Sequence, residues 1–542
     1  MAHEPLHLEW TSDRTLRAAC NGVLPSALRA WLSGRPVRIH PAAINTAFTL
    51  HAAQFTFPAA LVATAEARAA IVAQATAFLM ATGPIASTPA TTVDIPICYD
   101  AEFAPDLPAL AVRTRLSPTD LALLHSRSEY TADFLGFSPG FAYLSGLPGP
   151  LHVPRRDSPR PRIEPGSVAL AGSQCAVYPS ATPGGWNIIG RTPLRIFDAH
   201  RQHACLIPPL ATVRFTPIDR TTFDALSVAP QSTPPIHPAG PHLTIHSPGA
   251  FALVQDLGRP NLGVLGIPQG GALDPCSHAA ANLAAGNPHD SATIEFIGGG
   301  LSFSPSDDCR IGFSPTIPTV LTRKAAGEVS EQTARTLDLR AGDTVSVRSL
   351  PTRCGYLAVE RGLDVPFVLG SRSTALKAGF GGFDGRALNK GDRIPIAPRN
   401  GTPLRFHAVP RAASPRQVFR ITPGFHAGLL DRDTLARLFA TIYRISLTSD
   451  RAGVRLEGPS LPHRHAQLPS EPTTPGAVQL PPDGQPIILG PDGPVTGGYP
   501  IVGVVIEADL CHVGQLSPGD YLRFELVSLD DAWDIASEAP FS

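Results

Sequence analysis

The chain has 542 residues, 43% hydrophobic and 16% charged, with a formal net charge of -1. That leaves material for three or four folded domains and argues against a polyanion-binding role, nucleic acid included. Its 58 prolines and 48 glycines predict many turns and short strands rather than long helices. Lys324, Lys377 and Lys390 are the only lysines. A coding bias toward arginine accounts for that without any functional meaning. The eight cysteines are scattered, with no C-x-x-C and no zinc-like Cys/His spacing. They read as reduced, mostly buried thiols, and no metal site is expected. The start, MAHEPLHLEWTSDR, lacks a signal-peptide pattern, and no run reaches the roughly 18 apolar residues of a membrane span. A cytoplasmic protein away from membranes is the expectation.

In chain order, residues 1–90 read as a small α+β domain. Strands are expected at Val37–Ile39 and Ala47–Leu50, and a helix over Ala63–Met80 that Gly83-Pro84 stops. Residues 91–222 form a second domain. Val93–Ile97 alternates like a strand, and Ser117-Pro118-Thr119-Asp120 opens a helix as N-cap, N1 and an acidic N3. Residues 223–242, rich in proline, read as a semi-rigid linker. Residues 243–412 and 413–542 complete the chain. Asp274-Pro275 starts a helix that ends at Gly286, and Asp433–Tyr443 is the one further helix expected in this half. Many short strands and few helices predict a mainly β chain with α+β character, built from barrel-sized units. No fixed-period repeat is visible.

Tyr130–Pro193 is the organising stretch. Turn clusters at Gly136–Gly140, Pro165–Ser167 and Pro183–Trp186 alternate with short apolar runs. Between the first two, Arg155, Arg156, Arg160 and Arg162 are spaced by prolines on a pre-stiffened strap. Planar guanidinium forks suit carboxylates and phosphates, so the strap reads either as a pocket for a small anion or as a crossover that closes a barrel.

Several motifs fail on inspection. Gly136-Phe137-Ser138-Pro139-Gly140 matches G-x-S-x-G, but Pro139 lacks the N–H an oxyanion hole needs, and no helix pattern follows. There is no G-x-x-x-x-G-K-[ST] and no dinucleotide fingerprint after a strand, so a nucleotide used in the reaction belongs to another chain. With Met1 and Met80 the only methionines, the chain carries no covalent biotin site of the usual Met-flanked kind. What remains is a set of polar residues at turns. Asp256, Asp274, Asp492, Lys377 and His125 are the candidates for acid–base work, and Asp450 and Glu295 belong to the same set. Arg155, Arg156, Arg160, Tyr130, Trp186, Arg259, Arg372, Arg451 and Tyr499 are the candidates for holding substrate. Asp274 also reads as a helix cap, Asp256 as a turn lock, and His125 as a packed core histidine.

Two long sets of motifs carry a resemblance. IPICYDAEFAPDL, LHSRSEYTADFLGFSPGFAYLSGL, PRRDSPRPRIEPGSVALAGSQ and YPSATPGGWNIIGRTPLRIFD, within about 91–215, resemble the B subunit of 5-oxoprolinase, or allophanate hydrolase subunit 1. VQDLGR, GYLAVERGLDVPFVLGSRST, TSDRAGVRLEGP and SEPTTPGAVQLPPDGQPIILGPDGPVTGGYP, within about 243–528, resemble its C subunit, of the urea amidolyase-related carboxyltransferase family. The resemblance implies cyclophilin-like β-barrels in both halves after the small N-terminal α+β domain. It also implies ATP-dependent hydrolysis of 5-oxoproline to glutamate with a separate A-type protein, which would hold most of the ATP and any Mg. Biotin-dependent carboxyl transfer and non-catalytic kinase regulation are the alternative family roles. Self-association stays open. The family usually has Gly-Gly where this chain has Arg361-Gly362.

Overall fold

The computed structural model describes residues 7–19, 45–49, 52–57, 59–62, 64–81, 91–227, 240–398, 416–463 and 468–537. The first unit is an antiparallel sheet of His7–Ser12, Thr15–Ala19, Ala52–Thr56 and Asn45–Phe48, in that spatial order. The helix Ala65–Ala81 follows it, close to its expected bounds, and buries Ile71 and Ala75 with Leu16 and Phe55. The strand expected at Val37–Ile39 lies outside the described residues.

The second unit is a seven-stranded sheet. Its strands in chain order are Thr92–Ile97, Glu129–Leu135, Ala142–Ser145, Ser167–Ala171, Gln174–Val177, Asn187–Arg191 and Thr212–Pro217. Counted along the chain, spatial neighbours run first, seventh, second, third, fifth, fourth, sixth. The first and seventh strands are parallel. The edges meet through Cys98 and Arg191, which exchange backbone hydrogen bonds of 2.9 and 3.0 Å, so the sheet curls almost shut. Leu121, Leu144, Leu170, Val213 and their neighbours fill it. Ser117 caps the Pro118–Ser126 helix as its sequence requires, its Oγ accepting from Asp120 N at 3.0 Å.

The last unit repeats this plan. Val418–Pro423, Tyr443–Ile445, Gly453–Glu457, Ala477–Gln479, Ile487–Leu489, Ile501–Val505 and Tyr521–Leu526 form a closed barrel with the same neighbour order. Each barrel also has a two-stranded clip whose arms leave it between the third and fourth and between the fifth and sixth strands. The clips are Arg160–Ile163 with Thr182–Gly184, and Glu471–Pro472 with Thr496–Gly497. Between the barrels, residues 242–395 build a nine-stranded sheet. The Pro275–Ala285 helix packs across it so closely that a Cβ at Gly312 would strike the helix backbone.

Four expectations need correcting. The helix expected over Asp433–Tyr443 is Arg432–Ala440, because Asp431 is the cap and Thr441 is already extended before the strand at Tyr443. Two more helices, Glu507–Gly514 and Leu529–Ser537, follow in the same half; both are short, which weakens any periodic signal. The linker reading over 223–242 is cut at both ends by the Arg220–Leu226 helix and the strand from His242; residues 228–239 lie outside the described residues. Finally, Cys276 and Cys511 form a disulfide across 235 residues, a pairing no local spacing could reveal. Cys98, Cys175, Cys205, Cys309 and Cys354 are free and buried, as expected.

Arg361 keeps a left-handed φ of 80°, followed by Gly362 at 81°. The turn still has the shape two glycines would supply, with a side chain forced into it.

Candidate functional site

The arginine strap divides in two. Asp106, 5% exposed, accepts from Arg156 Nη1 at 2.7 Å, from Arg160 Nη1 and Nη2 at 2.8 and 2.9 Å, and from Ile188 N at 2.7 Å. Those two guanidinium groups are committed to an internal carboxylate, which ties the strap to the barrel wall. Arg156 and Arg160, expected to hold substrate, are thus paired with Asp106, a carboxylate not among the residues singled out from the sequence. Arg162 is exposed and paired with Glu164. Arg155 alone turns toward the aromatic wall, its guanidinium carbon 5.9 Å from the centre of the Trp186 ring.

That wall lies on the seam between the two barrels. Trp186 packs edge-on to Phe141 and against Tyr143, with centroids 5.8 and 5.9 Å apart. Burial pushes the Tyr143 phenol up, and Arg155 and the Ser470 and Thr496 hydroxyls of the other barrel partly offset it. The Gly136–Gly140 turn meets the same face, with Phe137 N donating to Thr496 Oγ1 at 3.2 Å. Gly136 must be glycine here, because a Cβ would overlap the Thr496 side chain. Ser138 Oγ on this turn, and Gln479 Nε2 and Thr474 Oγ1 on the opposite barrel, are buried without a protein partner. A Cβ at Gly497, next to Thr496, would sit 2.8 Å from that Gln479 nitrogen. The seam therefore brings together one arginine, a large aromatic surface, hydroxyls and an unsatisfied amide N–H. Such groups have the chemistry to pair with a carboxylate and a carbonyl. The G-x-S-x-G turn itself leads into the strand Ala142–Ser145, not a helix.

The second-half candidates form a different kind of cluster. Arg451, 7% exposed, bonds Glu295, the Gly271 carbonyl and Asp492, the last through Nε at 2.8 Å. Burial opposes its charge, but Asp492 and Glu295 more than offset that and hold it firmly protonated. Glu295 also accepts from Tyr356 Oη and Leu273 N, both at 2.8 Å. Asp274 caps its helix through Ser277 N at 2.9 Å and takes Gln515 Nε2 at 2.7 Å, while burial pushes its carboxyl up. Asp256 locks a turn, accepting from Gly258 N, Ser371 Oγ, Ser373 Oγ and Arg372 N. Arg259 is 1% exposed, bonded to the Val368 and Ser373 carbonyls; burial lowers it to about 10, with Asp256 and Asp492 partly offsetting. Arg451 with Glu295 and Gly271, and Gln515 with Asp274, join the middle sheet to the last barrel, whereas Asp256 and Arg259 brace loops within the middle domain.

The remaining candidates stand apart. His125 is fully buried between Tyr99 Oη at 2.7 Å and Cys175 Sγ at 3.4 Å, and burial pushes it down to about 3. It is a neutral core histidine at neutral pH. Tyr130 lies beside it, donating to the His125 carbonyl at 2.9 Å. Arg372 reaches Asp364 at 2.8 Å and stacks on Phe367. Lys377 pairs with Asp450 at 2.8 Å, both exposed, and Tyr499 is 40% exposed. Among the described residues, the one group of three possible metal donors is Asp274 with Cys276 and Cys511, whose sulfurs are bonded to each other. A surface cleft of about 670 Å³ lies elsewhere, lined by Arg310–Asp338 and Arg323–Asp343 ion pairs and by none of the predicted residues.

Sequence reading missed Asp106, Tyr143, Gln479 and Thr496. One signal for the seam was present: GGWNIIG at 184–190 and GGYPIVG at 497–503 are the same turn and strand in the two barrels.

Comparison with known proteins gives the same division. Residues 265–526 match the carboxyltransferase domain, subdomains A and B, and residues 25–207 match the carboxyltransferase domain, subdomains C and D. The chain is 35% identical over 292 residues to the C subunit of 5-oxoprolinase from Escherichia coli (strain K12), covering 54% of this chain and 93% of that protein. It is 43% identical over 133 residues to the B subunit of 5-oxoprolinase from Bacillus subtilis (strain 168), covering 24% of this chain and 55% of that protein. The crystal structure of TTHA0988 superposes on 94% of this chain and 99% of its own, with a TM-score of 0.79 and 29% identity. No described helix is long and apolar enough to cross a membrane. The chain belongs to the carboxyltransferase-domain family, with parts akin to the B and C subunits of 5-oxoprolinase fused in one polypeptide.

Proposed function

We propose that this chain supplies the B and C parts of an ATP-dependent hydrolase that opens 5-oxo-L-proline to L-glutamate together with a separate A-type protein. The observation that carries the reading is the seam between the barrels, where Arg155 faces Trp186 and Tyr143 across from Ser470, Thr496 and Gln479. Arg155 would hold the substrate carboxylate, since a guanidinium beside an aromatic face can rest on the ring and still offer its N–H edge to an acid. The Gln479 amide and the hydroxyls would hold the lactam, whose ring is small enough for the aromatic wall. Lactam opening by water needs an activated amide oxygen, and ATP supplies that activation on the A-type protein, with Mg as its counter-ion. This chain's task is then to bind the acid, orient the lactam and keep bulk water from it. Relatives named as the B and C subunits of 5-oxoprolinase support the same assignment.

The test is to purify the chain with a candidate A-type protein and measure glutamate formed from 5-oxoproline and ATP. Glutamate above that of the A-type protein alone is expected, and Arg155→Ala should raise KM about 10–100-fold with an unchanged circular-dichroism spectrum. Output equal to the A-type protein alone would overturn the reading. The family description favours a second reading, carboxyl transfer from a biotin carried by another protein. An avidin pull-down from the native source that retains this chain would favour it.

A further inference from the structure

The seam between the middle sheet and the last barrel has a covalent element that the proposed reaction does not use. Cys276 lies in the first turn of the Pro275–Ala285 helix and Cys511 in the Glu507–Gly514 helix, with Cα atoms 6.1 Å apart. Directly beside them the seam is polar and closely fitted. Gln515 gives Nε2 to Asp274 at 2.7 Å and takes Cys354 N on Oε1 at 3.1 Å. Arg353 donates to the Leu516 carbonyl at 2.7 Å, and a Cβ at Gly514 would collide with the Leu273 carbonyl. Cys276 and Cys511 are half-buried, whereas the five free cysteines among the described residues are buried. Burial also pushes those five thiols up, Cys205 and Cys309 to about 12, so they are poor thiolates.

We infer that Cys276 and Cys511 are a thiol–disulfide exchange site that reacts with small disulfides of the glutathione class and thereby fastens or frees the seam. In the oxidising direction, the Cys276 thiolate attacks one sulfur of the small disulfide, forming a mixed disulfide and expelling one thiolate. The Cys511 thiolate then attacks the Cys276 sulfur, closing the protein disulfide and expelling the second thiolate. Two electrons and two protons pass from the pair to the small disulfide, which leaves as two thiols. The closed bond joins two domains that otherwise meet through ion pairs and hydrogen bonds. Its loss should therefore show in how firmly the second half holds together, while each domain keeps its own core.

The test uses the full chain equilibrated with oxidised or reduced glutathione. After oxidation, denaturation and thiol titration, two of the eight cysteines should be missing, and a peptide map without reductant should link 276 to 511. The unfolding midpoint of the reduced protein should lie about 5 °C below that of the oxidised protein. In Cys511→Ser that gap should vanish, and Cys309→Ser, which leaves the pair intact, should retain it. Eight titratable thiols after oxidation, a different linked pair, or a redox-dependent midpoint that survives in Cys511→Ser would each overturn the inference. The wild-type comparison needs no variant to fold.

Discussion

The two barrels share one strand order but use their arginines differently. In each, the turn between the second and third strands faces the middle domain. In the first barrel that turn is Gly136–Gly140, which makes backbone contacts: Gly140 N donates to the Leu265 carbonyl at 3.1 Å. In the second it is the Asp450–Arg451 turn, which sends one guanidinium into the middle sheet to Glu295 and one carboxylate to Lys377. The frame is the same, and the groups built opposite the guanidiniums differ. Arg451 meets two and becomes part of the structure. Arg156 and Arg160 share one, at the rim. Arg155 is turned toward the aromatic wall, its guanidinium carbon 5.9 Å from the centre of the Trp186 ring.

Removing one charge from each barrel gives the sharpest test. Arg451→Ala leaves Glu295 and Asp492 facing each other in a buried seam, and should cost about 3–5 kcal/mol in denaturant unfolding. Asp106→Ala in the first barrel frees two arginines whose side chains are already 35% and 23% exposed, so water can take them up. A loss of only about 1–2 kcal/mol is expected there. Equal losses would break the distinction between a saturated and a rim arginine.

The second barrel also differs in having a helix after its sixth strand whose cap comes from elsewhere. Ile506 offers no side-chain oxygen, and Asp13 of the first sheet accepts from Glu507 N at 2.8 Å instead. Burial, reinforced by Glu507 and partly countered by backbone N–H groups and Arg14, raises the Asp13 carboxyl to about 7. The unfolded chain loses this proton near pH 4 and the folded one only near 7, so stability falls as pH rises across that window. Asp13→Asn should flatten the slope between pH 4 and 7 and stabilise the protein at pH 8 by about 2–4 kcal/mol. Thermal melts across that range would read it. No pH 8 gain would mean that the surroundings already compensate the carboxylate.

Two smaller effects calibrate the rest. Arg361→Gly restores the residue type its φ of 80° favours and should stabilise by about 0.5–1 kcal/mol in urea. Lys377→Ala removes an exposed ion pair between the middle domain and the second barrel, and should change stability by less than about 0.5 kcal/mol. A larger loss would mean that the second barrel depends on its rim as well as its buried arginine.

What could be read from the residues in order was local. Ser117-Pro118-Asp120 and Asp274-Pro275 with Gly286 state their caps within a few residues, and the helices form where they say. Proline and glycine content implied short strands, hence barrels. The doubling of the barrel was hidden because the insertions between equivalent strands differ in length, leaving only short matches such as the GGW and GGY turns and the PGSVAL and PGAVQL strands. The chemistry of the seams was least legible. Asp106 meets its arginines across 50 and 54 residues, Glu295 meets Arg451 across 156, and the cysteines pair across 235. No periodicity records which distant polar groups a fold will bring together. Family motifs placed the two halves correctly, but they did not tell Arg155 from its neighbours.

The opening sheet rests on the closing barrel: Trp10 meets Trp533 edge-on at 6.0 Å, Arg17 reaches Glu471 at 3.2 Å, and Asp13 supports the Glu507 helix. The polypeptide thus runs a circuit, its far parts held by contacts the intervening covalent path does not provide. Fusion of the two parts then fixes their stoichiometry and raises their local concentration, while the contacts themselves keep them joined. A protease cut between Ser227 and Gly240 should leave two fragments that travel together through gel filtration, a nicked complex in place of two lost halves.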